Sequence, residues 1–433
     1  MLFNFVWYIR PMKKSSEGIK KIMNRKLVFI FFVLGMNTYF VAAQKTNPKT
    51  QKPVTTSQKT EVNEYAETDR KALLLPDSLT ATTDNIAAFI TNNFNTDKEK
   101  VRAIFIWIAT NIQYDVDNMF AINFYEKKED KITKPLKTRK GICENYAALF
   151  TDICLKAGIK SYMVEGYTKQ NGFTDYIPHA WCAAMVDSAW FLFDPTWGSG
   201  YINSGKFVKK INNDYFKARP SYLIKSHIPF DYLWQFLNYP VTNQEFYEGK
   251  TEQDKSKPYF NYQDSIIAYD NLSHIDQLSA SAIRIEANGV RNSMIFDRLH
   301  HIKAEIENIR QNQIVSLYNS AVSDYNDAIN YYNDFIQYRN KQFTPKKTDP
   351  EIQSMIDVAD DKVKASRKKL KEIKDPDANI SSSMMQLTKS LDEISTHIQE
   401  QQDWLKIYFS KGKAGRKNMF YDRKVSWFGI PLN

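Results

Sequence analysis

Cys143, His179 and Asp194 are the three residues of the 433-residue chain whose types and settings give each a chemical role. Cys143 follows Gly141-Ile142 and opens an apolar-periodic run to Ala157 that Gly158 closes, which predicts a helix with Cys143 in its first turn. Free backbone N–H groups and the positive end of the helix dipole stabilise negative charge there, the setting that turns a cysteine into a nucleophile. His179 stands at the start of a strand-like run to Val186, and Asp194 ends a second run from Trp190. Asp187-Ser188 between them is turn chemistry, so the two runs form an antiparallel hairpin. His179 and Asp194 are 15 residues apart. An odd separation across an even-length loop puts both side chains on one face, directly or diagonally opposed, so the carboxylate can orient the imidazole. Pro195 stops the ladder, which leaves the acid at a strand end where a cleft can open. Cysteine, histidine and aspartate in these settings fit the nucleophile, base and orienter of acyl transfer.

The other two cysteines read as packing. Cys154 shares a helix face with Cys143, Ala147, Phe150 and Ala157 by 4-3-4-3 spacing. Cys182 is an odd step from His179, so it faces the opposite side of the strand as a small buried residue. With no Cys-x-x-Cys pair, no zinc site is expected, and neither a metal nor a cofactor is called for.

The motifs Lys140-Gly141-Ile142-Cys143-Glu144-Asn145-Tyr146-Ala147, His179-Ala180-Trp181 and Asp194-Pro195-Thr196-Trp197-Gly198-Ser199-Gly200-Tyr201 resemble the transglutaminase-like superfamily in its kyphoscoliosis-peptidase-like branch. So do two flanking segments. One is Ala103-Ile104-Phe105-Ile106-Trp107-Ile108 leading to Tyr114-Asp115, and the other spans residues 222–246 with His227-Ile228-Pro229 and Trp234-Gln235-Phe236-Leu237. The resemblance covers roughly residues 85–250 and holds five separated motifs in the family's order. It implies a papain-like cysteine site on Cys143, His179 and Asp194, acting on a protein or peptide substrate as peptidase, deamidase or transglutaminase. The alternative is a non-catalytic binding or scaffold module whose groove and helices hold a protein or cell-envelope partner.

Towards the N-terminus, Asn24-Arg25-Lys26 is a basic region, residues 27–36 an apolar one, and Val41-Ala42-Ala43 a small-residue cleavage pattern. Residues 1–43 therefore read as leader and signal peptide, with Met23 a second candidate start. The expectation is export to the periplasm, cell envelope or exterior without a stable transmembrane anchor, because the apolar run is short for a bilayer. The leader holds seven Lys or Arg and one Glu, so the remainder carries 52 basic against 48 acidic residues, a net charge of +4 rather than the whole chain's +10. A balance so near neutral gives no footprint for nucleic acid.

Residues 44–68 are rich in Thr, Lys, Gln and Pro and read as a linker, with folded sequence from about Asp69. Asp84-Asn85 predicts one helix cap and Thr96-Asp97 another, the second helix carrying an apolar stripe of Val101, Ile104, Phe105 and Ile108. The fold class expected is α+β: a catalytic domain over 69–250, then, past a composition shift at 251–257, a helical bundle or coiled coil over 258–410 that offers a surface for oligomerisation. Its periodic positions include Ile283, Ile352, Ile356, Val363, Leu370, Met385, Leu387, Leu391, Ile394, Ile398 and Leu405, with breaks at Pro345 and Pro376. Residues 411–433 form a basic and aromatic tail.

Overall fold

The computed structural model describes residues 64–123, 126–170 and 172–421; the leader expected at 1–43, residues 44–63 of the linker expected at 44–68 and residues 422–433 of the tail expected at 411–433 lie outside the described residues, and a helix begins at Ala66, inside the expected linker. The chain divides into two compact units between Glu307 and Asn308, inside one long helix.

The first unit is an α+β domain. Its helices are α1 (Ala66–Ala72), α2 (Thr83–Asn93), α3 (Asp97–Asn111), α4 (Lys128–Thr138) and α5 (Cys143–Lys156), with two short strands, β1 (Gln113–Tyr114) and β2 (Lys140–Gly141), pairing in parallel. Thr82 rather than Asp84 caps α2, its side chain accepting from the Asn85 N–H at 3.3 Å. Thr96 and Glu99 close a reciprocal capping box on α3. The stripe expected on α3 widens into complete burial from Val101 to Ala109, because α1, α5 and a later short helix pack around it.

Burial of α3 includes Arg102, whose guanidinium holds Asp69 through two bonds of 2.6 and 2.7 Å and Asn213 through a third of 2.8 Å. Tyr65 and Phe216 cover it at 4.4 and 4.8 Å from their ring centroids. This arrangement ties α1 to the core. Asp69→Ala leaves a buried, uncompensated cation and should lower stability by about 3–5 kcal/mol in denaturant unfolding followed by tryptophan fluorescence. Adding Arg102→Met to that variant should recover most of the loss.

The central sheet is antiparallel, built from β3 (Ser161–Gln170), β4 (Phe173–Val186), β5 (Ala189–Phe193) and β8 (His227–Pro229) in the order β5-β4-β3-β8. Between β5 and β8 come α6 (Pro195–Ser199), the hairpin β6 (Gly200–Asn203) and β7 (Lys206–Lys209), and α7 (Pro220–Leu223). The β4–β5 turn is Asp187-Ser188 with φ of 51° and 64°, as a two-residue hairpin turn matched to strand twist requires. One sheet face, with Ala180, Cys182, Ala184 and Phe193, packs on Ala147, Phe150 and Cys154 of α5. The other carries Val164, Trp181, Ala183, Trp190 and Leu192.

That second face is covered by chain beyond the composition shift. After α8 (Asn243–Glu248) come α9 (Tyr262–Asp270), α10 (His274–Ala287) and α11 (Ser293–Asn340). Ile266 of α9 joins Trp181 and Leu192, while Ala282, Ile285, Ile295 and Leu299 join Tyr167, Ile228 and Phe246. Residues 258–307 therefore share cores with the sheet, whereas composition alone groups them with the later helices. Within α10 the core takes Ala282 and Ile285, and Ile283 is 66% exposed.

The second unit contains the rest of α11, then α12 (Asp349–Glu372), α13 (Ala378–Ser410) and α14 (Lys413–Asn418). Ile352, Ile356, Ala359, Val363, Ser366 and Leu370 are all buried, as are Leu387, Leu391, Ile394, Ile398, Gln401 and Leu405. Alternating steps of four and three along both helices are the seam of closely packed helices. Met385 is 72% exposed, since it stands two residues from Leu387 and so off that seam. Among the described residues no helix is long and apolar enough to cross a membrane.

Candidate active site

The structure places Cys143 and His179 in the lining of one cleft, with Asp194 buried behind His179. Cys143 is the first residue of α5, and Ile142 before it is extended. Isoleucine cannot cap with its side chain, so Asn145 closes the turn from inside, its Oδ1 accepting the Ile142 N–H at 2.9 Å while its Nδ2 donates to the Lys131 carbonyl at 3.0 Å. Gly141 is needed there, because a Cβ would lie 2.7 Å from the Asn145 Cβ. Glu144, next to Cys143, is buried against Lys131 at 3.0 Å. Burial raises its pKa and the ammonium partly opposes that, so the pair anchors α4 to the start of α5.

His179 reaches Asp194 across the β4–β5 hairpin. Cys182 pairs with Phe193, so the next step sets Trp181 opposite Asp194 and leaves His179 on the diagonal. The His179 Nε2 lies 2.9 Å from Asp194 Oδ2, and Cys143 is near enough to add to the rise in the pKa of the imidazole. With Nε2 taken by the carboxylate, Nδ1 is the ring nitrogen left for the thiol.

Asp194 does more than end a strand. It caps α6, its Oδ1 accepting from the Thr196 and Trp197 N–H groups at 2.8 and 3.1 Å. Oδ2 faces a second imidazole, His227 of β8, whose Nε2 is 3.1 Å away and whose Nδ1 is 2.8 Å from Ser226 Oγ. His227 is the member of the site that sequence reasoning missed. It sits in the His227-Ile228-Pro229 segment, yet its role depends on β8 pairing with β3, and no local pattern encodes that. The signal available was arithmetic: apart from His179, it is the only histidine in residues 85–250.

The pKa directions follow from these contacts. Asp194 is wholly buried, which alone would raise its pKa, but His179 and then His227 pull it well below the usual carboxylate range. Burial of His179 disfavours its cation; the Asp194 charge outweighs this and lifts the imidazole to about 10, with Cys143 adding to the rise. For His227 burial wins and the pKa falls below 6.5, so that ring is neutral. Burial drives the thiols of Cys154 and Cys182 up, in keeping with their place in the core. The donor atoms of His179, Asp194 and His227 lie within 4.8 Å of one another, a grouping that could hold a metal ion. Both imidazoles are, however, already at hydrogen-bond distance from one carboxylate oxygen, which needs no ion.

The cleft has a volume of about 930 Å³ and is open to solvent. Cys143, His179, Trp197 and Tyr114 line it, with the β6–β7 hairpin (Tyr201, Phe207) as an outer wall. Tyr114 is held opposite Gly141 by the β1–β2 pairing, and burial keeps its phenol protonated well above neutrality.

Residues 84–195 match the transglutaminase-like superfamily. The likeness is to the kyphoscoliosis-peptidase branch: the human kyphoscoliosis peptidase is 35% identical over 171 residues, covering 38% of this chain and 25% of the relative. The mouse kyphoscoliosis peptidase is 37% identical over 160 residues, covering 35% and 24%. The chain thus spans about a quarter of the length of these relatives. A solved TGase structure aligns over 37% of this chain and 39% of its own, with 18% identity and a TM-score of 0.22.

Gly166 admits β8 to the site, since a Cβ there would stand 2.1 Å from the Ile228 carbonyl oxygen and 2.7 Å from the Pro229 Cα. Gly166→Ala must push β8 off β3 and His227 with it. A stability loss of about 1–3 kcal/mol is expected in chemical denaturation, the range for overpacking.

Stability should also follow pH through the site. The folded pKa of His179 is raised, so its contribution is complete below 6.5 and lost as pH rises through about 10. Asp194, with a depressed folded pKa, contributes above 3.8 and loses that contribution as pH falls. His179→Asn should therefore flatten the alkaline decline of Tm measured from neutral pH up to about 10; an unchanged decline would show that the pair does not form.

Proposed function

We propose that this chain is an exported cysteine-dependent acyl-transfer enzyme acting on peptide or glutamine amide bonds. The observation that carries the reading is the hydrogen-bonded His179–Asp194 pair beside Cys143 in an open cleft. Cys143 Sγ attacks the amide carbonyl carbon as the thiolate of an ion pair whose proton sits on His179, where the Asp194 charge holds it. The tetrahedral oxyanion meets the Cys143 backbone N–H, which as the first of a helix has no intrahelical acceptor. The C–N bond then breaks, His179 returns its proton to the leaving amine, and the acyl group remains as a thioester. Water resolves the thioester in a peptidase or deamidase, and a primary amine in a transglutaminase.

Asp194 stays ionised throughout, because four donors face its two oxygens. Its part is to fix the imidazole and stabilise the imidazolium. The names of the relatives and the superfamily match support cysteine chemistry on a peptide or protein. Export rests on the sequence pattern of residues 24–43.

Two measurements test the proposal. Incubating the protein with a glutamine-containing peptide and a primary amine, followed by mass spectrometry, should reveal a hydrolysed, deamidated or amine-linked product that Cys143→Ala abolishes; Cys154→Ala should keep the activity. Product formation surviving Cys143→Ala would overturn the assignment. The alkaline limb of the rate should lie above the ordinary histidine range, towards about 10, because the Asp194 charge holds the proton on His179. A limb near 6.5 would mean that His179 is not the group that titrates.

A further inference from the structure

Asp194 is 0% exposed and its four acceptor directions face two backbone N–H groups and two imidazoles. His179 has a part in the proposed chemistry; His227 has none. It is 1% exposed, enclosed by Trp197, Trp181 and Tyr215 at ring-centroid distances of 4.6, 5.2 and 6.1 Å, so it cannot meet substrate. The charged and titratable groups around it are Asp194, His179 and, at longer range, Asp175, with the Tyr215 phenol alongside.

Hydrogen-bond logic fixes its state. A carboxylate only accepts, so His227 Nε2 must carry a proton. Burial keeps the ring neutral, which leaves Nδ1 as an acceptor. The Ser226 hydroxyl must then donate to it, and its 2.8 Å separation from Nδ1 is shorter than its 3.4 Å to the Leu223 carbonyl oxygen. The order Ser226 O–H to His227 Nδ1 and His227 Nε2–H to Asp194 Oδ2 leaves no choice of tautomer.

We propose that His227, oriented by Ser226, is a positioning residue for the His179–Asp194 pair: it fills one lone-pair direction of Oδ2 with a neutral donor and so aims the other at His179 Nε2. The proposal deepens the acyl-transfer reading and rests on it. A cation at this place would compete with His179 for the carboxylate, whereas a neutral donor steadies the charge and lets His179 become the imidazolium. Ser226 and His227 share one β-strand approach, so the device comes with β8 rather than with either motif of the hairpin.

The test uses the full chain in two arms. In the first, ¹⁵N-histidine NMR should find His227 neutral and protonated on Nε2 at neutral pH; a cationic ring or a proton on Nδ1 overturns the proposal. In the second, the rate of Cys143 alkylation by iodoacetamide is followed against pH, with Cys154 and Cys182 staying unlabelled as the sign of an intact fold. His227→Phe should slow Cys143 labelling roughly tenfold to a hundredfold and displace the pH profile, the scale of one hydrogen bond to a charged group. His227→Gln, which keeps an N–H donor, should recover part of the rate, and Ser226→Ala should fall between. A folded His227→Phe protein with the wild-type rate and profile overturns the proposal. Failure of the underlying reading looks different: wild-type Cys143 would label no faster than an ordinary thiol, while the NMR arm still decides the state of His227.

Discussion

The arrangement of the site turns on one buried carboxylate. An ionised Asp194 without solvent is stable only when each oxygen is met by donors, since an isolated charge in a protein interior lies far above the same charge in water. Its donors come from three directions that the fold must bring together: the first turn of α6, the diagonal position of the β4–β5 hairpin, and β8. Pro195 supports the first by ending the ladder and starting a helix, so the residue that follows β5 can cap α6. Gly166 supports the third, because any side chain at that position would hold β8 away. The strand order of the sheet is thus also the order in which the acid acquires its partners.

The nucleophile is placed by an independent set of contacts. Asn145 closes the turn around Ile142, Lys131 and Glu144 join α4 to α5 beneath the cysteine, and the aliphatic face of α5 lies on Ala180, Cys182 and Phe193. That packing surface is the one the Cys154 and Cys182 side chains help to fill. Two cysteines are therefore part of the support for a third: all three are free and buried, and Cys143 is the one of them that lines the cleft.

What could be read in the sequence was whatever local periodicity encodes. The glycine before Cys143, the two-residue turn at Asp187-Ser188, the odd step between His179 and Asp194, and the prolines bounding α12 and α13 all act within a few residues, and the elements stand where those signals put them. His227 was not readable as a member of the site, because its meeting with Asp194 spans 33 residues and depends on the β3–β8 pairing. The cover over the second sheet face was hidden for a related reason. Residues 258–307 are charged on their outer side, and a composition shift reports that outer side, not which apolar residues lie beneath it. Ile283 and Met385 show the same limit from the other direction: each has apolar chemistry at near-helical spacing, but the neighbouring positions Ile285 and Leu387 are the ones that face a partner element.

The two units divide residue types as well as space. The first holds all three thiols and the enclosed histidines His179 and His227, with the 930 Å³ cleft walled by aromatic side chains. The second buries aliphatic and tyrosine side chains along its four-and-three seams, and the ion pairs it forms, such as Lys362 and Lys369 with Asp324, lie partly in solvent where such pairs contribute little. Desolvated charge destabilises a fold unless it is fully partnered, and it is kept where it can alter reactivity. Around Cys143 the first unit gathers buried ionisable groups that are each partnered, Lys131 with Glu144 and Asp194 with two imidazoles, whereas the second unit rests mainly on apolar packing.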